Sequence, residues 1–148
     1  MNDYCRHVLI AEDDPDDRAL IGDALIDAGF HAPDYVKDGQ ELLDYLERAD
    51  SNCDQTRFPI RPSLILIDLN MPRVDGLAAI RQIRSDPRFR GVPLVVLSTS
   101  NAPAEIRRAY EDGASTYIVK PSNYQALVDI MRAIDQYWFK TASLSKPP

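Results

Sequence analysis

Short apolar runs alternate along this chain with segments of helical period, and the alternation holds almost from one end to the other. The first run is Val8-Leu9-Ile10-Ala11, closed by Glu12-Asp13. A helix is predicted next: Asp14 suits the N-cap, Pro15 the first helical position, and Asp16 and Asp17 the positive end of the helix dipole. Leu20, Ile21, Ala24, Leu25 and Ala28 form its predicted buried stripe, and Gly29 its terminator. A second strand is expected around Ala32 to Val36, then Asp38-Gly39 and a helix with Leu42, Leu43 and Leu46 on one face. Leu64 to Ile67 is the third strand; the helix after it carries Leu77, Ile80 and Ile83, with Asp75 as its cap beside Gly76. The fourth strand, Leu94 to Leu97, runs into Ser98, and a helix from about Pro103 to Asp112 closes on Gly113. Thr116 to Val119 is the fifth strand, ending on Lys120-Pro121, and the last helix places Leu127, Val128, Met131, Ile134 and Trp138 at helical spacing.

Five strands alternating with five helices predict an α/β fold, because parallel strands need crossovers and helices then cover both faces of the sheet. Right-handed crossovers give a doubly wound, flavodoxin-like five-stranded parallel sheet of order 2-1-3-4-5. The apolar character of strands one, three, four and five predicts burial on both sides. Residues 50–62 (DSNCDQTRFPIRP) interrupt the pattern, which then resumes, so they read as a surface loop within one domain. That domain is expected to span residues 1–148, with a core of about 7–139 and a frayed tail over 140–148.

Composition narrows the classes. The 148 residues are 45% hydrophobic with a net charge of −6, and no apolar run reaches the length of a membrane span or a signal sequence. The acidic balance argues against a nucleic-acid surface, which needs clustered basic residues. Cys5 and Cys53 show neither metal-ligand spacing nor a disulfide framework, which fits free thiols in a cytoplasmic protein.

In a doubly wound sheet ligands sit beyond the carboxyl ends of the strands. Those ends carry Glu12 and Asp13, Asp68, Ser98 and Lys120. Strands one and three are predicted neighbours, so three carboxylates converge, and like charges at that range need a cation. Oxygen-only donors suit Mg²⁺, with the backbone carbonyl of Asn70 as a further ligand. A metal, a hydroxyl and an ammonium around Asp68 point to phosphoryl chemistry with an aspartate nucleophile. Asp68 alone could equally cap the following helix; its company at four strand ends favours the chemical reading. Asp14, Asp16 and Asp17 are explained by the helix start and stay outside the metal site.

The motifs VLIAEDD, LILIDLNMPRVDG, PLVVLSTS and YIVKP together resemble the receiver domains of two-component response regulators, from about Val8 to Trp138. The resemblance implies that Asp68 accepts a phosphoryl group from a sensor histidine kinase. It implies Glu12 and Asp13 as the acidic pair for Mg²⁺ (Mn²⁺ or Ca²⁺ as substitutes), Ser98 as the switch hydroxyl, and Lys120 as the lysine before a cis-proline, Pro121. Tyr117 matches the aromatic that turns inward when the hydroxyl meets the phosphate. Asn70 and Ser100, two beyond the phosphoacceptor and two beyond the switch hydroxyl, stand where the family tunes autodephosphorylation. With ten residues after Trp138, a single-domain regulator is expected, whose output is a binding surface. The loop 50–62 and the tail are similar to those of regulators that partner bacterial phytochrome kinases. The family's usual homodimer uses the fourth helix, fifth strand and fifth helix. Tyr117, Tyr137, Trp138 and Phe139 are the candidate interface residues, the last three because successive aromatics cannot all face one core.

Three rivals are weaker. An EF-hand at Asp68 fails, because Pro72 and Arg73 stand where a ligand and a glycine are required. A phosphatase or phosphotransferase with an aspartyl intermediate wants an acid at position 70, where Asn70 stands. A flavin carrier wants an anion-binding loop after strand one, where EDDPDD would repel phosphate. His7 and His31 are expected to be peripheral, and the receiver is expected to assist its own phosphorylation and autodephosphorylation without a turnover substrate.

Overall fold

The structure, a computed structural model, describes residues 6–51 and 59–145. Cys5 and Cys53 therefore lie outside the described residues, as does most of the loop predicted over 50–62. The elements run β1 (Val8–Ala11), α1 (Pro15–Asp27), β2 (Asp34–Val36), α2 (Gly39–Ser51), β3 (Leu64–Ile67), α3 (Gly76–Ser85), β4 (Leu94–Ser98), α4 (Pro103–Asp112), β5 (Thr116–Val119) and α5 (Tyr124–Ile134). All pairings are parallel and the strand order is β2-β1-β3-β4-β5, as the alternation predicts. None of the described helices is long and apolar enough to cross a membrane.

Side chains alternate across the sheet with the period of the strand. Leu9, Ala11, Ile65, Ile67, Leu94 and Val96 face one core, shared with Leu42, Tyr45 and Leu46 of α2, Ile80 and Ile83 of α3, and Ala109 of α4. Val8, Ile10, Leu64, Leu66, Val95 and Leu97 face the other, under α1 and α5. With both faces covered, β1, β3 and β4 are buried throughout. β5 departs from the prediction: as an edge strand it is only half-buried, and Val119 is exposed.

Several local expectations hold. Asp14 caps α1 by accepting from the N–H groups of Asp16 and Asp17, and Asp75 caps α3 by accepting from Ala78 N at 2.8 Å. Gly29 and Gly113 adopt φ of +100° and +115°, conformations that disfavour side chains. Others do not. Leu20 is 47% exposed, because the inner face of α1 is Ile21, Gly22, Ala24 and Leu25. Gly22 belongs to that face because the Tyr35 hydroxyl fills the space its Cβ would take. The last helix does not continue to Trp138: after Ile134 the chain widens into a π-helical segment, Asp135–Phe139. There the buried Asp135 pairs with Arg6 (2.7 Å) and Lys140 (3.1 Å), and Phe139 meets Phe30 edge-on at 5.7 Å. The described part of the tail is held rather than frayed. Thr141 N donates to Tyr137 O, and Ser145 lies against Gly91.

Candidate functional site

Register builds the site. β1 and β3 pair with Ala11 opposite Ile67, so the residues that follow, Glu12 and Asp68, emerge side by side at the same end of the sheet. The backbone fixes both: Asp68 N donates to Ala11 O at 2.9 Å, and Glu12 N to Val36 O at 3.0 Å. Carboxylate oxygens of Glu12, Asp13 and Asp68 all lie within 4.8 Å of one another. Glu12 is buried, Asp68 half-buried and Asp13 exposed, so the cluster opens to solvent on one side.

The electrostatics are those of a pocket short of positive charge. Burial, and then the neighbouring Asp68 carboxylate, push the Glu12 carboxyl up to about 7, against the opposing pull of Lys120. Lys120 Nζ donates to Glu12 Oε2 at 3.2 Å and also to Asp17 Oδ2 at 3.2 Å. Burial disfavours its charge, but Glu12, Asp68 and Asp17 together outweigh that and hold the ammonium above its ordinary value. β5 aims the lysine, whose backbone N–H bonds Ser98 O at 2.7 Å. All three acidic donors are hard oxygens, and the cation deficit is written into the raised Glu12, so the residues present fit a hard divalent ion. The Asp68 carboxylate also accepts from Asn70 N at 3.3 Å, which curls the loop back over it and leaves Asn70 exposed.

Ser98 ends β4, buried at 1% exposure, with its hydroxyl accepting from Ser100 N at 3.2 Å. Ser100 Oγ accepts in turn from Ala102 N at 3.2 Å, so the loop entering α4 is pinned by its own hydroxyls. Tyr117 is half-buried against the core, and its hydroxyl donates to the Ser100 carbonyl at 2.8 Å. The structure thus brings Glu12, Asp13, Asp68 and Lys120 together, with Ser98 on the adjoining strand β4 and Tyr117 on β5, its hydroxyl bonded to the loop that follows Ser98. Among the C-terminal aromatics, Tyr137 is 54% exposed, whereas Trp138 and Phe139 pack partly against the α1–α5 core.

Three features escape the sequence pattern. Asp17, assigned only to the helix start, reaches Lys120. Asp38 is buried at 3% exposure; it caps α2 through Glu41 N (2.7 Å) and lies 3.4 Å from Arg73 Nε. Arg73 sits at φ +65° in the loop after Asp68, a strained conformation for a side-chain-bearing residue. A Cβ on Gly39 would stand 1.9 Å from the carbonyl oxygen of Val74 in the same loop. The start of α2 therefore clasps the loop that carries Asp68 and Asn70. The signal available in the sequence was Asp38-Gly39 at a strand-to-helix junction.

The family model for the response regulator receiver domain matches residues 8–132. The chain belongs to the response regulator receiver family. Receiver domains are the phosphoacceptors of two-component systems, interact with histidine kinases and bind a divalent metal in an acidic pocket. The chain is 35% identical to a response regulator in red-light signalling of R. palustris; the match covers 95% of this chain and 99% of that one, with a TM-score of 0.85. It is likewise 35% identical to the phosphorylated cyanobacterial phytochrome response regulator RcpA, with the same coverage and a TM-score of 0.80. Response regulator Rcp1 of Synechocystis is 28% identical over 93% of this chain and 91% of its own. Its Mn²⁺-bound form superposes with a TM-score of 0.79.

Proposed function

We propose that this receiver takes a phosphoryl group on Asp68 from a sensor histidine kinase and uses it to repack its α4–β5–α5 face. The observation that carries the reading is the convergence of the Glu12, Asp13 and Asp68 carboxylate oxygens within 4.8 Å, with Lys120 bonded to Glu12. In the transfer, a carboxylate oxygen of Asp68 attacks phosphorus while the P–N bond of the donor phosphohistidine breaks, its electron pair leaving on the imidazole. Glu12, Asp13 and Asp68, with the Asn70 carbonyl, would hold Mg²⁺, for which Mn²⁺ or Ca²⁺ could substitute, and a bound ion would neutralise charge on the phosphoryl oxygens. Lys120 Nζ binds one phosphoryl oxygen and the Ser98 hydroxyl another.

The Ser98 hydroxyl accepts from Ser100 N through an oxygen lone pair, which leaves its O–H proton to donate to a phosphoryl oxygen, and Tyr117 is bonded to the carbonyl of that same Ser100. The switch hydroxyl and the aromatic are thus linked through one residue, which is the physical basis for a two-state response. The side chains of Asn70 and Ser100, at the rim of the pocket, set the phosphoryl lifetime. The receiver acts in the cytoplasm as a regulator that assists its own phosphorylation and autodephosphorylation. Its similarity to phytochrome response regulators supports a bacteriophytochrome as the kinase. Tyr110, Val119 and Tyr137 are large exposed hydrophobics on α4, β5 and the segment after α5, which supports a homodimer through that face.

Two experiments test this. Label should pass from a phosphorylated bacteriophytochrome kinase to the native chain and not to Asp68→Asn; transfer to the variant would reject the assignment of Asp68. Light scattering on eluted protein with phosphoryl donor should give twice the chain mass, and a monomer under all conditions would reject the dimer.

A further inference from the structure

Lys120 has two anions at its ammonium, and one of them does not belong to the phosphoacceptor pocket. Its Nζ stands 3.2 Å from Glu12 Oε2 and 3.2 Å from Asp17 Oδ2. Glu12 is a member of the acidic cluster, whereas Asp17 comes from the first turn of α1 and keeps its side chain 41% exposed. Helix capping does not account for this contact. Asp14 supplies the cap, accepting from Asp16 N at 2.8 Å and Asp17 N at 3.4 Å, and Asp16 already places a charge at the positive end of the dipole. The Asp17 carboxylate is left over, and it is spent on the lysine.

We propose that Asp17 is a positioning residue that acts as the resting counter-ion of Lys120 and competes with the incoming phosphoryl group for its ammonium. This rests on the reading of Asp68 as phosphoacceptor and Lys120 as phosphoryl ligand. Before transfer the lysine is shared between Glu12 and Asp17. At the transition state and afterwards it must serve a phosphoryl oxygen, so its bond to Asp17 is exchanged or weakened. The competition acts on one limb of the cycle. Acceptance starts with the Lys120–Asp17 pair made and reaches the transition state with it relaxed, so Asp17 raises that barrier. Loss of the phosphoryl group starts with the pair already relaxed, so Asp17 leaves that barrier alone. An ion pair with one partner this exposed is modest, and its removal corresponds to about a two- to fivefold change in rate.

Neutralising Asp17 therefore has an asymmetric outcome that loss of a helix-stabilising charge would not produce. The native protein, Asp17→Asn, Asp17→Ser and Asp17→Glu are incubated with acetyl phosphate and Mg²⁺, and the rate of phosphoryl gain is followed by intact mass. The donor is then removed and the rate of loss followed, with thermal melting as the check on folding. Asp17→Asn and Asp17→Ser are expected to accept about two to five times faster, to lose the group at the native rate, and to shed their advantage in high salt. Asp17→Glu, which keeps the charge, should accept nearly as slowly as the native chain. Acceptance at or below the native rate in both neutral variants, with native-like melting, would overturn the proposal, as would gain and loss accelerating together. A native protein that gains no phosphoryl mass would instead overturn the assignment of Asp68, and this proposal with it. Acetyl phosphate needs no docking, so contacts between α1 and a kinase do not enter the result.

Discussion

The hydroxyl of Tyr117 donates to the carbonyl oxygen of Ser100 at 2.8 Å, tying the edge strand β5 to the loop that leaves Ser98. The backbone N–H of the same residue donates to the hydroxyl of Tyr110 at 3.0 Å. Since Tyr110 is on α4 and Ser100 lies just before it, Tyr117 holds both ends of that helix. Tyr117→Phe keeps the ring and removes one neutral hydrogen bond, so it should lower unfolding free energy by about 1 kcal/mol in a denaturant titration. An unchanged midpoint would show that the bond adds nothing beyond what water replaces.

Glu12 makes stability depend on pH with an unusual sign. Its carboxyl is raised from 4.5 to about 7 by burial and by Asp68, so the folded protein binds a proton that the unfolded chain has already released. Its stabilising contribution is complete below pH 4.5 and is lost as pH rises through about 7, a change of about 3 kcal/mol at most. Melting of metal-free native protein should therefore fall relative to Glu12→Gln across that window. Because the proton and a cation compete for the same oxygens, Mg²⁺ affinity measured by calorimetry should rise over the same range. A flat difference between the two proteins would remove Glu12 as the cause.

The clasp on the loop that follows β3 predicts damage from a methyl group. Gly39→Ala places a Cβ where the Val74 carbonyl stands, and backbone cannot yield as a flexible side chain would. Overpacking of this kind costs about 1–3 kcal/mol. Denaturant unfolding should show that loss, and Mg²⁺ binding should weaken, because the displaced loop carries Asp68 and Asn70. Asp38→Ala should cost about 1–2 kcal/mol through the lost cap and the unpaired Arg73, whereas Asp38→Asn should retain most of the cap.

Arg84 is a half-buried guanidinium whose described acceptors are all neutral. Its nitrogens donate to Gly113 O (2.6 Å), Arg90 O (2.9 Å), Val92 O (2.7 Å) and Ser115 Oγ (2.9 Å). It therefore ties α3 to the C-terminal end of α4 and the start of β5. Arg84→Met keeps much of the bulk and strands these acceptors, so it should cost about 2–4 kcal/mol. A loss below 1 kcal/mol would mean that water takes over.

What the sequence yields readily is what depends on periodicity and on strand ends. Apolar runs of four residues locate β1, β3, β4 and β5, and the carboxylate that ends LILID stands beside Glu12 because two neighbouring strands stop in register. Contacts between elements distant in sequence are harder to read. Asp17 looks complete as a helix-start acid until the fold brings Lys120, more than a hundred residues later, within 3.2 Å. The positive φ of Arg73 has no marker, since arginine is not a residue that favours it. Leu20 is exposed while Gly22, set against Tyr35, lies on the buried face of α1, and the π-helical turn carries Asp135, which pairs with both Arg6 and Lys140. The partners of Asp17, Gly22 and Asp135, namely Lys120, Tyr35 and Arg6, lie outside their own helical segments, where a local pattern does not reach.

We expect phosphorylation to fall on Asp68, with a divalent cation at Glu12 and Asp13. Incubation with acetyl phosphate followed by intact-mass measurement tests it most directly, for the native protein with Mg²⁺, the native protein with chelator, and Asp68→Asn with Mg²⁺. A gain of one phosphoryl group is expected in the first sample alone. A gain in Asp68→Asn, or none in the native protein with Mg²⁺, would contradict it.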